Sequence, residues 1–202
     1  KFPAMKRLLV IISACFLLSA PGSTHPWKPS HYVIVDTDGG IDDIRTISML
    51  LASPDVRLLA VTVSHGALPA DKAYIKVKSL LNSFHHEGIP VGINRSGSFR
   101  SPEFPAALNS RWGEEEGIDA SSARSCNDVI SDILEAEKTK ISFICLGSMS
   151  TALNALRNIP EFSGQVKDFI WSADGADDKA GFNYNIDMKS SVSILKQEIP
   201  VK

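Results

Sequence analysis

Four aspartates, Asp36, Asp38, Asp42 and Asp43, fall within eight positions of the segment VIVDTDGGIDD, residues 33–43, directly behind a short apolar run. Nothing in the segment supplies a compensating positive charge. A helix N-terminus favours negative charge through its dipole and free N–H groups, so one capping aspartate would be unremarkable. Three carboxylates drawn into a tight turn, those of Asp38, Asp42 and Asp43, repel one another unless a cation joins them. Gly39 and Gly40 allow the backbone to fold Asp38 back toward Asp43. Hard oxygen donors with no His or Cys beside them suit Ca2+ first and Mg2+ second, and disfavour zinc. The expectation is a metal centre rather than a set of helix caps.

The elements around this cluster must place it. From His31 onward, apolar runs alternate with helical patterns: strand HYVIVDT, helix IRTISMLLA, strand VRLLAVTVS, helix ADKAYIKVKSLLNSF, strand IPVGIN. Helix CNDVISDILEAEK, strand KISFICLG, helix STALNALRNI, strand VKDFIWSA and helix MKSSVSILKQE follow, and IPVK reads as the opening of another strand. Nearly continuous apolar strands separated by helices indicate an α/β fold, a doubly wound, mostly parallel, Rossmann-like sheet with helices on both faces. Such sheets bind ligands beyond the carboxyl ends of their strands. That rule puts residues 36–43, 64–67, 148–151 and 173–178 on one rim. Residues 94–125 show no clear pattern and are longer than most loops, which marks them as a lid or a surface insertion.

The 202 residues carry 44% hydrophobic and 22% charged side chains and a net charge of −2, which rules out disordered and fibrous classes and leaves no basic stripe for nucleic acid. Met5-Lys6-Arg7 followed by LLVIISACFLLSA has the form of a secretory signal, too short to span a bilayer, with cleavage after Gly22. The protein is therefore expected to be exported, periplasmic or secreted, with residues 1–22 outside the folded domain and residues 23–202 forming it. Reading ISAC as a lipobox, with lipidation at Cys15, is the second option and the only route to a membrane partner. Cys145, in an apolar run, reads as a core residue; pairing with Cys126 is left open. His85-His86 and Glu114–Glu116 read as solvated, and Trp171 as core.

Two families begin this way. DTDGGIDD resembles the haloacid-dehalogenase-type phosphatase motif at Asp36, Asp38, Gly39, Ile41 and Asp43, with Ser148 and SADGADD as its later motifs. Gly40 in place of Thr, and a helix that follows at once, depart from it. The same segment resembles the Asp-Thr-Asp-Pro-Gly-apolar-Asp-Asp opening of the inosine–uridine-preferring nucleoside hydrolases, with Gly39 for Pro. LLASPDVRLLAVTVSHG, LGSMSTALNALRNIPEF, GFNYNIDMKSS and IPV then resemble that family's later segments in order, over nearly the whole chain.

That resemblance implies cleavage of the N-glycosidic bond of a small-molecule ribonucleoside by a Ca2+-dependent enzyme. Carried over, Asp38, Asp43 and the backbone carbonyl of Ser150 would be metal ligands, and Asp42 the general base that activates water. Asp36 would support the turn from behind, and Asn183 would hold ribose hydroxyls. Ala67 stands where the family has a substrate-contacting Asn, and Gly181 replaces a Glu. A late His-Asp pair of the family has no counterpart before Lys202, so a truncated or degenerate site is expected. A non-catalytic Ca2+- or sugar-binding relative is the third reading, and a homo-oligomer is compatible with the sequence.

Overall fold

The computed structural model describes residues 28–96, 104–173 and 181–202. The expected leader with Cys15, and the acidic residues Asp174, Asp177 and Asp178, lie outside the described residues.

The chain runs β1 (His31–Thr37), α1 (Ile41–Ala52), β2 (Val56–Val63), α2 (Ala70–Ser83) and β3 (Val91–Ile93). It continues through α3 (Pro105–Asn109), a 3-10 turn (Ala120–Ser122), α4 (Cys126–Ala136), β4 (Ile141–Cys145) and α5 (Ser150–Asn158). After these come α6 (Phe162–Gln165), β5 (Val166–Trp171), α7 (Phe182–Ile186) and α8 (Met188–Ile194). The five strands form one sheet in the order β3-β2-β1-β4-β5, every pair parallel. The IPVK segment takes up a place beside β5: Phe169 bridges Val201 in parallel, and the Phe169 N–H donates to the Pro200 carbonyl at 2.8 Å.

Strands β3 and β4, and β1 beyond His31, are buried on both faces, and strict alternation along β1 divides the core in two. Val33 and Val35 enter a core shared with Ile44 and Ile47 of α1 and Val77, Leu80 and Leu81 of α2. Tyr32 and Ile34 enter the opposite core, with Val129 and Ile130 of α4, Ala152 and Leu153 of α5 and Ile194 of α8. In the second core Phe143 packs edge-on against Phe162 and Phe169, with ring centroids 5.4 Å and 6.1 Å away. Both remaining cysteines are buried free thiols, so the open question of a bridge closes against it.

Two expectations need correction. Helix α1 opens at Ile41 rather than Ile44, so Asp42 and Asp43 belong to its first turn and not to a preceding loop. The described part of residues 94–125 is not a structureless insertion. Among their described residues are α3 and the 3-10 turn, and Ala107, Leu108, Trp112 and Ala120 pack onto the core between the sheet and α2. Short helices interrupted by polar turns carry too little periodicity to be seen in sequence.

The strand order reverses direction at β1: β2 and β3 lie on one side, β4 and β5 on the other. The crevice beyond the carboxyl ends of β1 and β4 is thus the topological switch point, where doubly wound sheets bind ligands. The sheet's stability depends on the aromatic triad behind it. Phe143→Ala should lower the unfolding free energy by about 3–5 kcal/mol, read as a drop in the urea midpoint at unchanged m-value.

Candidate functional site

Helix dipole alone does not account for the aspartates. Gly40, the residue preceding α1, has no side-chain cap, and the acids bond elsewhere. Gly39 takes a positive φ of 84°, which turns the chain sharply between β1 and α1. The turn is then tied by one carboxylate oxygen: Asp43 Oδ2 accepts from Thr37 Oγ1 at 2.7 Å and from the Asp38 N–H at 3.1 Å. Thr37 Oγ1 in turn accepts from the Gly39 N–H at 3.0 Å.

Asp38 folds back beside Asp43, as expected. Its Oδ1 accepts from the Gly40 N–H at 3.3 Å. Its Oδ2 is wholly buried and has no donor in hydrogen-bonding geometry, although the Ala67 N–H lies near enough to pull the carboxyl pKa down. The carboxylate lies so close to the loop after β2 that a Cβ on Gly66 would sit 2.0 Å from Oδ2. Burial raises the pKa of both acids, and for Asp43 the neighbouring Asp38 charge raises it further.

Asp36 continues the even-numbered face of β1 into the second core, opposite Cys145 in register. It is fully buried, with Oδ1 accepting from Thr62 Oγ1 at 2.7 Å and Oδ2 from Ser64 Oγ at 3.0 Å. Desolvation outweighs these bonds and pushes its pKa up to about 7. It therefore links the end of β1 to the end of β2 rather than meeting the acids across the turn.

A cavity of about 310 Å³ opens over the turn, at the lower end of the range for small-molecule sites. Asp38, Asp42, Asp43 and Asn183 line one part of it. The rest is apolar, built mainly from Ile41, Leu146, Phe104 and Phe182. Phe104 and Phe182 meet edge to face, with centroids 5.2 Å apart at 90°. Asn183 is buried and donates both amide hydrogens to main-chain carbonyls, Leu146 O at 2.6 Å and Ser172 O at 2.8 Å. Any ligand contact of this side chain is through Oδ1 as an acceptor.

All three carboxylates of the turn border one cavity, but only two of them are buried. Asp38 and Asp43 are buried together, whereas Asp42 is exposed on the cavity wall, its Oδ1 turned back over Gly40. Ser150 opens α5 at the end of β4, buried, its hydroxyl accepting from Ser148 Oγ at 3.0 Å. Neither Ser150 nor Asp36 lines the cavity. Among the described residues no group of three or more His, Cys, Asp or Glu side chains is arranged to hold a metal ion. The two buried carboxylates and the orphaned Asp38 Oδ2 fit a hard divalent cation as part of an oxygen shell, whose remainder would come from carbonyls, water or ligand.

Thr37, Phe104 and Phe182 were not assigned roles from sequence. Thr37 lies within the quoted motif and is found by asking which donor would hold the carboxylate six residues onward. Phe104 gave no signal, because it comes from the patternless stretch.

The inosine-uridine preferring nucleoside hydrolase family model matches residues 33–201. A Schizosaccharomyces pombe protein named only as uncharacterized is 26% identical over 184 residues, covering 84% of this chain and 59% of that one. The pyrimidine-specific ribonucleoside hydrolase RihA of Klebsiella pneumoniae is 22% identical over 183 residues, covering 84% of this chain and 58% of its own. This chain thus spans 58–59% of the length of those relatives. Among solved structures, the inosine-uridine preferring nucleoside hydrolase from Bacillus anthracis superposes with a TM-score of 0.67 at 17% identity, over 85% of this chain and 63% of that one. A plant nucleoside hydrolase gives 0.69 at 23% identity, over 86% and 59%. These superpositions show a shared fold.

The three buried acids fix the sign of a pH effect. Each has a folded-state pKa above its unfolded value, so its contribution is full below about pH 3.8 and is lost as pH rises, for Asp36 through about 7. In EDTA the melting temperature should fall from pH 5 to pH 8, and Asp36→Asn should flatten that slope. Equal slopes in the two proteins would refute the assignment.

Proposed function

We propose, from the fact that this chain belongs to the inosine-uridine preferring nucleoside hydrolase family, that the cavity over the β1–α1 turn hydrolyses the N-glycosidic bond of a ribonucleoside with the aid of Ca2+. The observation that carries the reading is the buried Asp38 Oδ2, left without a donor beside a second buried carboxylate on the cavity wall. Desolvating two like charges is costly unless something positive joins them, and removing water from that oxygen without replacement costs still more.

Asp38 and Asp43 would hold the ion, with the Ser150 carbonyl as the further ligand the family resemblance implies. Bound there, Ca2+ supplies Lewis acidity and a variable oxygen shell able to take both water and a sugar diol. The other tasks fall to the chain itself. Asp42, exposed on the wall and one residue from a ligand, accepts the proton of the attacking water. As the base departs, the sugar carbon becomes oxocarbenium-like, and the negative field of the acidic turn stabilises it. Asn183 Oδ1 accepts from a sugar hydroxyl, and its committed amide hydrogens keep it in place. Phe104 and Phe182 offer an apolar wall suited to a flat ring.

Ala67 and Gly181 leave the sugar end with fewer polar side chains than the family resemblance implies, so weakened or altered sugar selectivity is part of the proposal. The family match favours this chemistry over the dehalogenase-type phosphatase that shares the opening motif.

Inosine and uridine should release free base in the presence of Ca2+, and EDTA should abolish the release. Asp42→Asn should lower kcat by about 10²–10⁴-fold while Ca2+ affinity by calorimetry stays as in the parent. Base release unaffected by that substitution would refute the general-base role. Phosphate release from p-nitrophenyl phosphate would instead favour the phosphatase, and Ca2+ binding with neither activity a binding protein. Millimolar Ca2+ should also raise the melting temperature most at neutral pH, where the buried acids are driven to ionise and their charges are otherwise uncompensated.

A further inference from the structure

One charged side chain buried away from the acidic turn has no part in the chemistry above. Lys76, in the middle of α2, has a side chain only 5% exposed. Its Nζ donates to the Ser110 carbonyl at 2.5 Å and forms an ion pair with Glu115 Oε1 at 2.8 Å. An ammonium so buried persists only where its hydrogen bonds are met, and here both partners come from the segment after α3. Ser110 is the residue that ends α3, and α3 with Phe104 supplies one wall of the cavity.

The same face of α2 receives that segment at a second point. Ser79 and Ser83 follow Lys76 at helical spacings of three and seven, and their hydroxyls turn back to the carbonyls of Lys76 and Ser79. Gly113 packs directly on them: a Cβ there would fall 1.9 Å from Ser83 Oγ and 2.4 Å from the Ser79 carbonyl oxygen. Farther along, Arg95 donates to the Ala120 carbonyl at 2.5 Å and pairs with Asp71 of α2 at 3.2 Å. The segment is held by charge at one point and by steric fit at the next.

We infer that Lys76 is a positioning residue for substrate affinity: clamped to Ser110 and Glu115, it fixes α3 and Phe104 as a rigid roof over the ring-binding end of the cavity. This rests on the nucleoside reading of the site. The roof meets the apolar part of a ligand, and the acidic turn the polar part, so the clamp acts on the aglycone and leaves the sugar and the ion alone. A wall that contributes equally to ground-state and transition-state binding changes KM and leaves kcat in place.

The test compares Lys76→Met, which keeps the aliphatic stem, with Gly113→Ala, which displaces the segment without touching a charge. Amide hydrogen exchange over residues 104–118 should quicken in both variants. KM for inosine should rise about tenfold with kcat little changed, while inhibition by free ribose keeps its parent constant. Unchanged exchange in both variants overturns the clamp. Faster exchange with unchanged KM, or ribose weakened in step with inosine, overturns its role in affinity. Should Lys76→Met fail to fold, Glu115→Gln and Gly113→Ala carry the same comparison. A parent protein that hydrolyses no nucleoside defeats the functional reading alone; the exchange data still decide whether the clamp exists.

Discussion

Two carboxylates buried side by side at the end of a central strand are the constraint around which the molecule is arranged. Asp38 and Asp43 are both almost wholly removed from water; the charge of Asp38 pushes the Asp43 carboxyl up, while a side-chain hydrogen bond from Asp43 pulls the Asp38 carboxyl down. The surrounding backbone accommodates them at several points at once. Thr37 and the Asp38 N–H hold one oxygen of Asp43, the loop after β2 closes over Asp38 with a residue that has no side chain, and the Leu146 N–H ties the end of β4 to the Asp36 carbonyl at 2.8 Å. The turn therefore touches the ends of β1, β2 and β4 together. A disturbance at any of these ends reaches the acids, because no slack remains between them.

The two layers of the sheet serve this arrangement differently. The face carrying α4, α5 and the phenylalanine triad is a tightly packed support, and the Asp36 carboxylate is driven into it. Its bonds to Thr62 and Ser64 make it a brace between neighbouring strands. The face carrying α1 and α2 is more open at its upper edge, where Phe104, Ala106 and Ala107 reach the cavity from a segment that is not part of the sheet. Chemistry and recognition are thereby built by separate parts of the chain: charge from the strand-to-helix turn, apolar shape from what lies over it.

That separation explains what could be read in advance. β1 runs from His31 to Thr37 as its apolar pattern indicates, because a strand buried on both faces is limited by where the hydrophobic residues stop. Asp38 and Asp43 stand out together in the sequence because carboxylates are costly to bury and the rim rule places their turn at the ligand-binding edge, whereas Asn183 is marked only by the family resemblance. The start of α1 was misplaced toward Ile44 because Ile41, the one apolar residue before the two acids, gives too little periodicity to mark a first turn. Asp42 was grouped with the buried pair, yet neighbouring positions on a helix point in different directions, and the second of them alone turns inward. Lys76 was invisible for another reason. A lysine on a predicted amphipathic helix reads as solvated until the segment that covers it is placed.

The strand order also bears on how this molecule is made. β1 is formed early in the chain, but it lies in the middle of the sheet and pairs on one side with β4, so that Val33 meets Ser142 across a long interval of sequence. Until β4 arrives, one edge of β1 is unsatisfied and its apolar residues are open to other chains. Assembly from such distant partners is slow relative to local pairing. During synthesis the nascent strand would thus be exposed to aggregation for as long as the intervening residues take to emerge, and the aspartates behind it, still hydrated, would flank it as charged gatekeepers.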